Sequence, residues 1–93
     1  MSESVLRSVV GHELGRIKRD VVRDVRRAMR RKNVTQAVLA RRIGTSRSAV
    51  ARMLKTDDPS MTLRLLGRVA VALNASVNLQ FAGRGGRRRK LNA

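Results

Sequence analysis

Residues 34–54 read VTQAVLARRIGTSRSAVARML, and their pattern divides at a single glycine. Before it, Leu39 and Ile43 recur at helical spacing with Ala40 beside them, giving one apolar stripe on a helix of about nine residues. Thr35 is placed to cap that helix, because its hydroxyl can accept from a first-turn N–H that the helix leaves unpaired, and Gln36 follows in the first turn. Gly44 falls where the chain must turn, and glycine takes positive φ without the Cβ penalty other residues meet. Ser46 is a good N-cap for a second helix. Val50, Met53 and Leu54, at i, i+3 and i+4, give that helix a buried face and leave Arg47, Ser48, Ala51, Arg52 and Lys55 outside. The centre of the chain is therefore expected to be two short helices at an angle, the second with a basic and polar outer face.

Working toward the N-terminus, Leu6, Val9, Val10, Leu14, Ile17, Val21, Val25 and Met29 recur at three and four residues, a long amphipathic pattern. Acids and bases meet at i,i+3 or i,i+4 in Glu3/Arg7, Glu13/Arg16, Asp20/Arg23 and Asp24/Arg27. Gly11 and Gly15 each weaken a helix interior by about 1 kcal/mol relative to alanine, so the first helix of the domain is expected at about Asp20 to Arg31, with a bent or separate helix before it. The apolar stripe of that earlier segment needs a cover, either its own domain or another chain. His12 is expected to be an exposed helical residue with no ligand role.

Toward the C-terminus, Asp57, Asp58 and Pro59 form a turn signal, and the next helix is expected to start near Ser60 or Thr62. Leu63, Leu66, Val69, Ala70 and Leu73 are its expected core stripe, with Leu65 and Val71 pointing elsewhere, and Asn74 ends it in the left-handed conformation. Residues 76–81 alternate, with Val77, Leu79 and Phe81 on one side, as a short strand does. No second strand exists in the sequence, so its expected partner is the same strand of a second protomer; the alternative is an extended tail packed on the helices. The stretch GRGGRRRK that follows is low in complexity and basic, and is expected to be disordered, with Arg84, Arg87, Arg88, Arg89 and Lys90 available to phosphates or a minor groove. The expected division is thus an amphipathic helical extension at 1–19, a helical domain ending in a short strand at 20–81 and a basic tail at 82–93.

Composition narrows the function. With 93 residues there is room for one small domain and tails, and with Phe81 the sole aromatic its core must be aliphatic. The absence of cysteine excludes disulfides and cysteine-based zinc sites, and no metal or cofactor is expected. No apolar run spans a bilayer and the first residues lack signal-peptide character, so a cytoplasmic, nucleoid-associated protein is expected. The net charge of +16 implies a polyanionic partner, and residues 25–55 hold ten basic side chains and no acid. With one histidine and acids placed mostly in helical ion pairs, no constellation for catalysis exists, and an enzyme is not expected.

At residues 35–50 the pattern T-Q-x-x-L-A-x-x-x-G-x-S-x-x-x-V resembles the helix-turn-helix of phage Cro and repressor (Xre-type) DNA-binding proteins. Residues 62–73, TLRLLGRVAVAL, look like the helix that follows recognition there, so the similar region runs roughly over 21–81. The resemblance implies an all-α helix-turn-helix bundle, here with an N-terminal helical extension and one short C-terminal strand used in dimerisation. It implies double-stranded DNA as partner, base contacts from Arg47, Ser48 and Arg52, and phosphate contacts from Gln36, Thr35, Arg41, Arg42, Ser46 and Lys55. The function so implied is a sequence-specific transcriptional regulator acting as a dimeric repressor. Two alternatives stand beside it: an antitoxin that represses its operon and holds a toxin through the N-terminal segment, and an architectural nucleoid protein. An RNA-binding role ranks last, since there is no aromatic stacking platform.

Overall fold

The computed structural model describes residues 1–55, 57–58 and 60–83, and these form four helices: α1 (Glu3–Arg31), α2 (Gln36–Ile43), α3 (Arg47–Met53) and α4 (Leu63–Ala72). Each begins at a hydroxyl. Ser2, Thr35, Ser46 and Thr62 hold extended φ/ψ, and their side chains accept from the backbone N–H of Val5, Val38, Ala49 and Leu65 at 3.2, 3.2, 3.0 and 3.0 Å.

Three of the helices end alike. Asn33, Gly44 and Asn74 take φ of 55, 74 and 51°, so the chain leaves each helix through the left-handed region. The N–H of the following residue then reaches back to a carbonyl of the last turn: Val34 to Met29 at 2.9 Å, Thr45 to Ala40 at 2.9 Å and Ala75 to Ala70 at 2.8 Å. Gly44 and Asn74 match the sequence expectation. Asn33 performs the same task after α1, which ends at Arg31 as expected.

One apolar cluster holds the bundle. Val22, Val25 and Met29 of α1 meet Val34, then Leu39, Ala40 and Ile43 of α2, Val50 and Met53 of α3 with Leu54 just after it, and Val69 of α4 with Leu73 just after it. Leu39 is fully enclosed, and α2 packs against both α3 and α4. The short α2–α3 pair is thereby fixed at its crossing by small Ala40 and by the turn at Gly44.

Two expectations are corrected and a third, the strand, is not shown. The first helix does not start near residue 20: α1 runs unbroken for 29 residues through Gly11 and Gly15. The glycine penalty is offset along the same helix by ion pairs, Arg7–Glu3 at 3.8 Å, Arg16–Glu13 at 2.7 Å, Arg16–Asp20 at 3.1 Å and Arg23–Asp20 at 3.4 Å. Glu13, and less strongly Asp20, raise the Arg16 guanidinium further above its already high ordinary pKa. Asp24 pairs with Arg23 at 3.5 Å. The core stripe of α4 is also rotated from the expected one. Leu65, Val69, Ala72 and Leu73 face the core, whereas Leu63 is 78 % exposed. Because α4 is apolar on most of its circumference, its sequence admitted both phases. Lastly, residues 76–81 have no regular secondary structure, and Val77, Leu79 and Phe81 are exposed. A strand requires a ladder partner, and the expected one belongs to a second protomer.

Candidate nucleic-acid interface

The caps and the core together decide which side chains of α3 face out. Ser46 starts the helix, Val50 and Met53 lock it against the bundle, and Arg47, Ser48 and Arg52 are left exposed with Ala51 half-buried between them. Ser48 lies one turn from Arg52 and shares its side of the helix, while Arg47, in the first turn, stands about 100° round from Ser48; all three are exposed. Lys55, just past the helix, is exposed as well.

On α2, Arg41 is exposed and Gln36 sits half-buried in the first turn. Thr35 and Ser46 use their oxygens as cap acceptors, which leaves each hydroxyl hydrogen to donate. Thr35 and Gln36 also border a cleft of about 470 Å³ between the end of α1 and the start of α2, whose other walls include Arg26, Met29 and Arg30. The structure thus gathers Arg30, which the sequence reading passed over, beside Gln36 and Thr35. Its signal was present as a basic residue in the last turn of a helix that leads directly into α2.

Arg42 also has a structural role. Its Nη1 donates to the carbonyl oxygen of Ala72 at 2.9 Å, across the bundle at the end of α4. It is one of several cations that close other elements: Lys32 Nζ donates to Asn74 O at 3.0 Å, Arg26 Nη2 to Leu54 O at 3.4 Å, and Arg68 Nη2 to Ile43 O. Lys18, only 3 % exposed, sends Nζ to Asp58 O at 2.6 Å. The last carbonyls of a helix lack intrahelical partners and carry partial negative charge, which is why basic side chains gather there. Part of the positive charge is therefore structural. The composition alone could not reveal this, because each such contact links residues far apart in sequence.

The turn after α3 is built on Asp58, whose Oδ1 accepts from Ser60 Oγ at 2.7 Å and from Ser60 N at 2.9 Å. These bonds, chiefly the hydroxyl, hold the Asp58 carboxyl below its ordinary pKa, with smaller pulls from Lys18 and Arg52. Arg84, Arg87, Arg88, Arg89 and Lys90 lie outside the described residues. His12 is exposed, and among the described residues no group of His, Cys, Asp or Glu gathers to hold a metal ion. No described helix is long and apolar enough to cross a membrane.

The bundle therefore presents a short, cap-started helix braced on one side and basic on the other, preceded by a second helix set across it. Neither a search of curated proteins nor one of solved structures finds a match to the chain. A model of the helix-turn-helix domain family does match, over residues 20–80, which is the span from the middle of α1 through α4 and into the segment beyond it. The chain belongs to the helix-turn-helix domain family, whose members are typically DNA-binding rather than catalytic.

Proposed function

We propose that the protein is a sequence-specific transcriptional regulator, acting as a repressor, that lays α3 in the major groove of double-stranded DNA. The observation that carries this reading is that Arg47, Ser48 and Arg52 are all exposed on a helix that Val50 and Met53 lock in the core. Arginine reads guanine bidentately through O6 and N7, and serine can donate or accept at either groove edge. Gln36, Thr35, Arg41, Ser46 and Lys55 supply phosphate contacts on the flanks, and Arg30 joins them from the cleft at the start of α2. Arg42, exposed and with only its Nη1 bonded to Ala72 O, keeps further N–H donors for a phosphate and stays in the same set. The domain on this reading is 20–81, with 1–19 as a helical extension and 82–93 as a basic arm.

The net charge of +16 favours a second reading, an architectural protein that grips DNA without reading it. Selection from a random duplex library with the purified full chain separates the two. The regulator enriches one motif containing guanines and binds it at least about a thousandfold more tightly than scrambled duplex at physiological salt. Recovery of no motif, with equal affinity for all duplexes, establishes the architectural reading instead.

A further inference from the structure

The first half of α1 carries an apolar stripe that its own domain leaves open. Leu6, Val10, Leu14 and Ile17 are 47, 47, 44 and 41 % exposed, and their spacing places them on one side of the helix. The core-facing residues of the same helix, Lys18, Val22, Val25 and Met29, lie on another side. At 3.6 residues per turn the two stripes stand roughly a quarter of a turn apart. At a rise of about 1.5 Å per residue, the open stripe also extends roughly 18 Å beyond Lys18, the first α1 residue buried against the bundle. The packing that builds the bundle cannot cover it.

We propose that this stripe pairs with the same stripe of a second copy of the chain, in antiparallel orientation. Charge selects the occupant. Residues 1–17 hold Glu3 and Glu13 against Arg7 and Arg16 and are neutral in sum, so the remainder of the chain carries the whole net charge of +16. The charges beside the stripe are already paired along the helix, Arg7 with Glu3 and Arg16 with Glu13. Along this helix face a like chain can approach without net charge repulsion. An acidic partner, by contrast, would be drawn to the basic surfaces and gain nothing electrostatically at the stripe.

Charge also selects the orientation. A parallel pair would set the two basic bundles side by side at one end. The antiparallel pair places Leu6 against Ile17 and Val10 against Leu14 of the second copy. It puts the two Val22 positions roughly 30 Å apart along the axis, several times the Debye length of about 8 Å at physiological salt. A helix pair of this length is small beside the roughly 1,200–2,000 Å² of stable interfaces, so the dimer exchanges with monomer at micromolar concentration.

Sedimentation velocity of the full chain tests this over roughly 1–200 μM, a range that brackets the dissociation constant of so small an interface. A reversible monomer–dimer equilibrium is expected, tightening as added salt screens the bundles. Leu14→Glu should raise the dissociation constant at least about tenfold by burying an unpaired carboxylate, while helicity and melting temperature hold because Leu14 is half exposed. The paired variant Leu79→Ser, Phe81→Ser should leave the dimer unchanged. The chain has no cysteine, so single cysteines report orientation: a mixture of Val10→Cys and Leu14→Cys chains should form the mixed disulfide in preference to either homodimer. The proposal is overturned by a wild type that stays monomeric throughout, which gives the stripe to a different protein. It is equally overturned by a dimer that survives Leu14→Glu, by one lost only with Leu79 and Phe81, or by preferential Val10→Cys homodimers.

Discussion

Arg68 of α4 donates a hydrogen bond to the carbonyl oxygen of Ile43, and its guanidinium also stands over Gly44, where an added Cβ would come within 3.5 Å of it. The turn that sets α3 against α2 is thus held from outside by a helix that contributes nothing to the outward face of α3. Arg68→Met, which keeps the aliphatic stem, should destabilise the fold by about 1–3 kcal/mol through loss of a charge-assisted bond. Gly44→Ala should destabilise it by about 1–2 kcal/mol, because φ is 74° there. Thermal or urea unfolding of both variants checks this, and wild-type midpoints would show that the brace is immaterial.

Arg47 and Arg41 should separate in their effects on DNA. Arg47→Ala should weaken the selected site by about 1–3 kcal/mol and relax preference at one position. Arg41→Ala, on the preceding helix, should weaken selected and scrambled duplexes by the same factor. Competition binding with both duplexes distinguishes them. If Arg47→Ala weakens both equally, Arg47 contacts phosphate and the architectural reading gains.

Salt should weaken binding steeply, since each neutralised phosphate adds about −0.9 to the slope of log K against log salt. Removing residues 83–93, with their five cations Arg84, Arg87, Arg88, Arg89 and Lys90, should make that slope shallower and leave the preferred motif unchanged. A changed motif would mean that the arm itself reads the groove.

Asp58 gives the fold an acid limit. Its carboxyl is held below the ordinary value by Ser60, so its contribution to stability is complete above about pH 4 and fades as pH falls through the depressed folded value. The melting-temperature gap between wild type and Asp58→Ala should be constant near neutrality and close at lower pH. A gap that persists unchanged at pH 2 would show that the carboxylate's ionisation is irrelevant.

Core truncations should follow the observed rotation of α4 rather than the expected one. Leu39→Ala, at a fully enclosed position, should cost about 2–5 kcal/mol, a large share of the stability of a domain this small. Leu63→Ala should be nearly silent, whereas Val69→Ala should be clearly destabilising; urea midpoints decide. The contrast marks what the sequence made legible. In α2 and α3 the apolar residues occupy one side only, so periodicity and the hydroxyl caps placed Leu39, Ile43, Val50 and Met53 inward and Arg47, Ser48 and Arg52 outward. In α4 Leu and Val stand on nearly every side, and only the packing chose a face. The bonds from Arg26, Arg42 and Arg68 join residues 25 to 30 positions apart, where no local pattern points.

All four helices begin at serine or threonine, and none at aspartate. A carboxylate cap would complement the positive end of each helix dipole more strongly. It would also leave a fixed negative charge at the very place where, in the proposed complex, the start of α2 meets a phosphate. The uncharged hydroxyl at Thr35 satisfies the same N–H and keeps that end attractive to an anion, so a gain in intrinsic helix stability is forgone in favour of the electrostatic character of the bound state. Engineering this chain for thermal stability by the usual substitution of aspartate at helix starts would therefore work against DNA affinity.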